Sequence, residues 1–309
     1  METIDVCIIG AGPAGLTAGI YTSRSGLDTV IYEKGLPGGL ANVTDRIDNF
    51  PGFPDGISGL ELGERILKQA QRFGAKVVTT TVEAVRGDGN RISVRAGTGE
   101  VTARSAIVAT GSTPKKIGVP GEESLLGRGV SYCATCDGPL YQGKRVAVIG
   151  GGDSALQEAI FLARFATKVT VIHRRSQLRA AEVLQADVKA EPKIDLALNK
   201  LINKIEGRDE VQGVVVEDKE SGKQELIEAS GVFIYVGYEP NVEMLGDEFE
   251  RSDTGFLITR PDLQTSVKGV FAAGDVRDKI LRQVVTAAGE GAVAAASVYA
   301  YLENLKKLA

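Results

Sequence analysis

Tryptophan is absent from this chain, histidine occurs once and cysteine only three times in 309 residues. With two of the cysteines committed to one C-x-x-C, no disulfide framework of the secreted kind can be built. A structural zinc needs four ligands. The soft candidates are only Cys7, Cys133, Cys136 and His173, and Cys7 and His173 fall in or at the ends of two different strands. Basic residues are not in excess: the net charge is −4 and the pI near 5.4, which argues against nucleic acid as the main partner. No apolar run reaches the length of a membrane span. Met1-Glu2-Thr3 leads straight into a strand, without the basic and apolar segments of a leader. The expectations are no nucleic acid, no membrane and a cytoplasmic location.

Glycine, by contrast, is plentiful, with 38 residues, as in a chain full of tight nucleotide turns. The length is long for one core and comfortable for two domains. The organising stretch is Cys133-Ala134-Thr135-Cys136-Asp137, followed within a dozen residues by Val146-Ala147-Val148-Ile149 and Gly150-Gly151-Gly152-Asp153-Ser154-Ala155. Cysteines at this spacing can close a small disulfide at a turn or helix start, where one thiol's pKa can be depressed. Asp137 puts a carboxylate where it can pass protons to and from a departing thiolate. Half of a zinc site is the alternative reading.

The nucleotide pattern occurs twice. In the first copy, the apolar strand 4–10 leads into Gly10-Ala11-Gly12-Pro13-Ala14-Gly15 and an apolar helix. The first glycine permits the tight turn, the second lets a pyrophosphate approach the backbone, and the third lets helix and strand pack closely. A second strand, Asp28–Glu33, ends in an acid 18 residues past Gly15, near where such folds hold ribose hydroxyls. A solvated strand-end acid is the plainer alternative for Glu33. In the second copy, strand Arg145–Ile149 leads into Gly150 to Ala155, a helix over 155–165 and strand Lys168–Ile172. His173 stands 18 residues past Ala155, at the same offset as Glu33. There the chain reads His173-Arg174-Arg175, with Arg179 expected one helical turn further on. An acid at this place would repel the 2′-phosphate of NADP, whereas arginines bind it. A solvated basic face is the alternative.

Between the copies, the Gly/Pro-rich segments 35–40 and 49–53 are expected to be irregular. An amphipathic helix is predicted over 60–73, with strands at 77–85, 91–94 and 106–111. After the second copy, a hairpin-like pattern covers 211–236. A strand over 270–275 ends in Asp275, and an Ala/Gly-rich helix covers 283–302. This tail is too short for a domain, so it should return to the first half. The expected fold is α/β: two Rossmann-like, three-layer dinucleotide-binding domains, the second inserted in the first. Residues 1–112 and 241–309 would form the outer domain and 113–240 the insert. A prosthetic and an exchangeable dinucleotide beside a redox disulfide point to a flavin intermediary, with FAD on the copy carrying Glu33 and NADPH on the copy carrying the arginines.

These stretches, with Ala272-Ala273-Gly274-Asp275-Val276 and Arg282-Gln283 before Val284, make the chain resemble the bacterial-type, low-molecular-weight thioredoxin reductases over nearly its whole length. The resemblance implies a homodimer that passes electrons from NADPH through FAD to thioredoxin or a thioredoxin-like protein. It implies that Cys136 lies nearest the flavin, that Cys133 attacks the substrate disulfide and that Asp137 is the acid/base. Gly10, Gly12, Pro13, Ala14, Gly15, Glu33, Gly38, Gly39, Leu40, Asn49, Val82, Thr110, Gly111, Gly274, Asp275, Arg282 and Gln283 would hold FAD. Gly150, Gly152, Asp153, Ser154, Ala155, His173, Arg174, Arg175 and Arg179 would hold NADPH. A hinge is expected at the linkers carrying Pro114 and Pro240. Two departures stand out: Leu40 replaces the family's usual glutamine after Gly38-Gly39, and 277–281 lacks an aromatic that many members carry. A flavin dithiol oxidase and a non-catalytic redox sensor are the competing functions; Arg174, Arg175 and Arg179 count against the oxidase.

Overall fold

β1 (Thr3–Ile9) is fully buried from Val6 onward, as its apolar run requires. It leads through the first glycine turn into α1 (Pro13–Arg24) and then β2 (Thr29–Glu33). α2 (Gly59–Arg72) starts where Ser58 Oγ accepts from Glu61 N at 3.1 Å, and it buries Leu62, Ile66 and Ala70 at four-residue spacing. β3 (Lys76–Thr79), β4 (Val82–Asp88), β5 (Arg91–Ala96), β6 (Gly99–Val108) and β7 (Ser112–Pro114) follow. This computed structural model describes residues 3–308 except 45, 90 and 98.

The chain then enters a second body with β8 (Val130–Ser131), the single turn α3 (Ala134–Asp137), β9 (Arg145–Gly150), α4 (Asp153–Leu162) and β10 (Lys168–Ile172). α5 (Glu182–Ala190), β11 (Ile194–Ala197), β12 (Lys200–Gly207), β13 (Val211–Asp218), β14 (Gln224–Glu228) and β15 (Gly231–Tyr235) complete it. The last elements are β16 (Tyr238–Pro240), β17 (Val270–Ala272) and α6 (Val284–Leu308). The chain divides into one unit of Met1–Thr113 with Glu239–Ala309 and another of Pro114–Tyr238.

In the outer unit the sheet runs β3-β2-β1-β6-β5-β4, with β17 also paired to β6. Its parallel half carries α1, α2 and α6 on one face. Irregular chain bearing Leu245, Phe249 and Leu257 packs on the other. Phe271, Ile8, Ile31 and Ile107 are at most 1% exposed, each burial contributing roughly 1.5–3 kcal/mol. α6 lies so close to α1 that a Cβ on Gly291 would stand 2.2 Å from the Ala14 carbonyl oxygen. The tail thus rebuilds the outer unit. The inner unit has a parallel sheet, β11-β10-β9-β15-β8, and a separate antiparallel sheet, β12-β13-β14. Among the described residues, no helix is long and apolar enough to cross a membrane.

Several expectations need correction. The single strand expected over 77–85 is two strands at opposite edges of the sheet: β3 pairs with β2 and β4 with β5. The break falls in Thr79-Thr80-Thr81, a β-branched run without the glycine or proline that marks a turn. The 211–236 hairpin splits as well. β13 and β14 form the hairpin, while the wholly apolar β15 leaves it to lie beside β9. Residues Gly39–Val43 form a short 3-10 helix that begins in the 35–40 segment expected to be irregular and runs past it. α4 starts at Asp153, and α6 runs six residues beyond Leu302 because 303–308 offers good helix formers.

Candidate functional sites in the two units

In the outer unit, Gly10 has φ of +101°, and a Cβ there would meet the Ala109 carbonyl oxygen at 2.5 Å. A Cβ on Gly15 would lie 1.9 Å from the Gly10 carbonyl oxygen, so strand, turn and helix can close this tightly only without side chains. Gly12 is the N-cap of α1, with Pro13 in its first turn and Ala14 buried behind it. No side chain caps this helix, so its first amides face outward with the positive end of the helix dipole. Gly38 N donates to Ala11 O at 2.8 Å, and Gly39 approaches Gly12 so closely that a Cβ would stand 2.9 Å from its Cα. The loop is thereby sealed onto the turn. Leu40 beyond it is 53% exposed.

Glu33 joins these pieces. Its Oε2 accepts from Ala11 N at 2.7 Å and its Oε1 from Gly35 N at 2.9 Å. A carboxylate offers about four lone-pair directions, so acceptor capacity remains for a ligand hydroxyl. Thr80 N donates to the Glu33 backbone carbonyl at 2.9 Å, which ties the chain after β3 to the end of β2. The Val82 side chain itself is buried in the core. At the end of β6, Thr110 Oγ1 donates to Asn241 O at 2.6 Å, and Gly111 follows with φ of +69°. Asn49 Nδ2 donates to Gln283 Oε1 at 3.0 Å, across 234 residues of sequence.

Gly274 and Asp275 follow β17. Burial pushes the Asp275 carboxyl up, opposed by Lys279 and Arg282. Lys279 Nζ, largely buried, lies 3.2 Å from both Asp275 Oδ1 and Glu290 Oε1, and Arg277 Nη1 lies 3.0 Å from the same Glu290 atom. Glu290 Oε2 accepts from Gly274 N at 2.7 Å. The sequence reading missed this network, although an acid set in Gly289-Glu290-Gly291 within an Ala/Gly-rich helix is a signal for it. Arg282 stacks over Phe256 at 4.1 Å, and its Nε is buried without a hydrogen-bond partner among the described residues.

In the inner unit, Cys133 and Cys136 form a disulfide with a Cα–Cα distance of 5.3 Å. The sulfurs are thus bonded to each other, and Cys7 is a buried residue of β1 with a thiol pushed well up by burial. This leaves the half-zinc alternative without ligands. The redox turn is held from several sides. Cys133 N donates to Ser131 Oγ at 3.0 Å, and Ala134 N donates to the Tyr235 hydroxyl at 2.5 Å. Tyr132 donates to the buried Glu122 at 2.8 Å, and Tyr238 donates to Tyr132 O at 2.9 Å. Asp137 closes the turn through its N–H to Cys133 O at 3.1 Å, and both it and the cysteines are half-buried. Burial, and then the Asp137 charge, pushes Tyr141 up to about 12. On α4, Glu158 Oε2 is buried without a hydrogen-bond partner among the described residues, and burial raises its carboxyl.

The second glycine turn repeats the first with one change. Gly150 has φ of +152°, and a Cβ there would meet Tyr235 O at 2.5 Å. Ala155 occupies the third glycine's place, and nothing lies within 4 Å of where a Gly152 Cβ would stand. α4 too has no side-chain cap, and Ser154 in its first turn is exposed. Asp153 Oδ1 instead accepts from Ala181 N at 2.8 Å, and Arg179 N donates to Gly151 O at 2.7 Å. These two bonds fold the 174–181 segment back onto the glycine turn as a loop. Arg179 is therefore not one helical turn beyond Arg175, as expected; the loop brings it there. Arg175 and Arg179 line one cavity of about 380 Å³; Arg174, exposed like them, is not among its lining residues.

His173 differs from its neighbours. It is 6% exposed, and its ring packs so tightly on Gly151 that a Cβ there would lie 2.4 Å from Nδ1. Burial holds its pKa below the usual 6.5, helped by Arg179, Arg175 and Arg174 and opposed by a hydrogen bond with the Gln177 backbone. The basic run thus presents arginines around a neutral imidazole. Below about pH 6.5 the unfolded chain takes up a proton here that the folded chain refuses, so stability falls as pH falls. This is the chain's one histidine, which makes the test simple. The thermal midpoint of the parent should drop more between pH 7.5 and 5.5 than that of His173→Asn; parallel drops would refute it.

The two glycine turns and the redox disulfide define a class of dinucleotide-dependent disulfide oxidoreductases. The chain belongs to the pyridine nucleotide-disulphide oxidoreductase family, whose profile matches residues 4–291. It is 45% identical to the thioredoxin reductase of Bacillus subtilis (strain 168) over 308 residues, covering 98% of this chain and 96% of that one. To the thioredoxin reductase of Treponema pallidum (strain Nichols) it is 42% identical over 99% of this chain and 100% of that one. Its fold superposes on the crystal structure of thioredoxin reductase from Streptococcus pyogenes MGAS5005 with a TM-score of 0.93, at 43% identity, covering 98% and 99% of the two chains.

Proposed function

We propose that this protein is an NADPH-dependent flavoprotein disulfide reductase acting on thioredoxin or a thioredoxin-like protein. The observation that carries the reading is the closed Cys133–Cys136 disulfide in a chain that also has two uncapped glycine-turn helices. One of these leads to a carboxylate, the other to an arginine-lined cavity. The outer unit suits FAD: the open cradle at Gly12, the spare acceptor capacity of Glu33 and the unpartnered Arg282 Nε all call for an anionic, hydroxyl-rich ligand. Gly10, Gly15, Gly38, Gly39, Gly274, Asp275 and Gln283 complete that site. When bound, FAD supplies the step between hydride and dithiol chemistry. In the inner unit Gly150, Gly152 and the start of α4 hold the NADPH pyrophosphate, and Arg175 and Arg179 its 2′-phosphate.

The chain's own thiols then act on the substrate. The Cys133 thiolate attacks one sulfur of the partner's disulfide: a mixed disulfide forms, the partner's S–S bond breaks, and the departing thiolate takes a proton, delivered by Asp137. The Cys136 thiolate next attacks Cys133, restoring the internal disulfide and releasing the partner as a dithiol. NADPH should bleach the flavin, and added thioredoxin should recolour it with steady NADPH consumption. A flavin that NADPH does not bleach would end this reading. The working form is a cytoplasmic homodimer, which sedimentation and cell fractionation would check.

Arg175 should govern the choice between coenzymes. A charge-assisted hydrogen bond is worth roughly 1.5–3 kcal/mol, and ~1.4 kcal/mol is tenfold in affinity. Arg175→Ala should raise KM for NADPH by about one to two orders of magnitude and leave NADH nearly unchanged. Arg174→Ala, at a neighbour that does not line the cavity, should do less. Equal losses with both coenzymes would make Arg175 a structural residue.

A further inference from the structure

The arginine-lined cavity has a second wall, which the glycine-turn pattern does not foreshadow. It comes from the antiparallel sheet: Asn199 just before β12 and Lys219 just after β13 line the cavity with Arg175, Ser176, Gln177 and Arg179. No carboxylate is among the lining residues. Asn199 is one of two non-glycine residues among those described with positive φ, at +57°. In that conformation its N–H donates to Arg175 O at 3.2 Å, and its carbonyl accepts from Lys219 N at 2.9 Å. One residue therefore ties the arginine loop to the end of β13.

The carboxylates flanking Lys219 are engaged elsewhere. Glu220 Oε1 accepts from Asn199 Nδ2 at 3.2 Å. Asp218 accepts from Ser221 N at 2.9 Å and pairs with Lys200 at 3.3 Å. No ion pair of Lys219 occurs among the described residues. The cavity thus gathers three cations from two separate elements, and a bound anion relieves their mutual repulsion. A coenzyme without a phosphate at this point leaves that repulsion as it is in the free protein and gains nothing from it, so the pocket favours the phosphorylated counterpart.

We propose that Lys219 is a specificity-determining residue for the coenzyme 2′-phosphate, gripping it from the wall opposite the arginine loop, and that Asn199 positions Arg175 toward it. The proposal rests on the reading of this cavity as the phosphate pocket. The probe is adenosine 2′,5′-bisphosphate, titrated calorimetrically into the flavin-loaded protein, with 5′-AMP as the control lacking the 2′-phosphate. Lys219→Ala should weaken bisphosphate binding roughly 3- to 10-fold at low salt, as for a partly exposed charge contact. The loss should shrink at high salt, and 5′-AMP binding should not change. The KM for NADPH should follow the bisphosphate and that for NADH should not. Asn199→Gly, which keeps the left-handed backbone, should retain this preference, whereas Asn199→Ala, strained there, should lose part of it. If Arg175→Ala weakens the bisphosphate and Lys219→Ala does not, the assignment of Lys219 is wrong and the phosphate pocket stands. If neither variant weakens it, the pocket reading falls and this proposal with it.

Discussion

A Cys133→Ser protein should be bleached by NADPH at close to the parent rate and yet leave thioredoxin oxidised. The two half-reactions use different parts of the chain. In the proposed function, hydride acceptance uses the glycine turns and the arginine loop, none of which includes the Cys133 sulfur. Attack on an external disulfide needs a thiolate at this position, and a serine hydroxyl, with its far higher pKa, is not ionised at neutral pH. The substitution opens the Cys133–Cys136 bridge but is nearly isosteric and keeps the backbone bonds of the turn, Cys133 N to Ser131 Oγ and Ala134 N to Tyr235. Rapid-mixing absorbance of the flavin, followed by insulin-coupled thioredoxin turnover, would separate the two halves. Thioredoxin reduction at near the parent rate would remove Cys133 from the role of interchange thiol.

The second large effect belongs to Asp137. Asp137→Asn should slow the thiol–disulfide steps by about 10²–10⁴-fold, the usual worth of a positioned acid or base. FAD content should not change, because the cradle at Gly10–Gly15 belongs to the outer unit and Asp137 to the inner one. The half-buried Asp137 lies one residue past Cys136 and closes the redox turn through its own N–H. The amide variant keeps that N–H and loses only the ionisable group. Turnover measured across pH, at constant FAD content, is the decisive readout. A variant with the parent's profile and rate would leave Asp137 only a structural part of the turn.

Much of this was legible in residue order. Both glycine turns, the acid and the histidine at equal offsets from them, and the C-x-x-C are local patterns. Their physical content lies in tight turns, helix starts and sulfur spacing, which a few consecutive residues settle. The Val77–Val85 run shows where that ends. Its two strands have the same local propensity, and only their neighbours, β2 for one and β5 for the other, separate them. The cavity is a similar case. Arg175 announces itself as part of a basic run, but Arg179 reaches the pocket only through its bond to Gly151, and Lys219 only through Asn199. Tyr235 meets the redox turn from 101 residues away, and Glu290 secures Gly274 from the second turn of α6. Apart from the glycines that flank Glu290, single charged or hydroxyl side chains of this kind carry no period and no motif. The sequence by itself determined the class of chemistry, because flavin, nicotinamide and thiol sites are built on short backbone signatures. Which side chains orient and neutralise those sites was decided only by the tertiary structure, since burial and pairing arise only when distant segments meet.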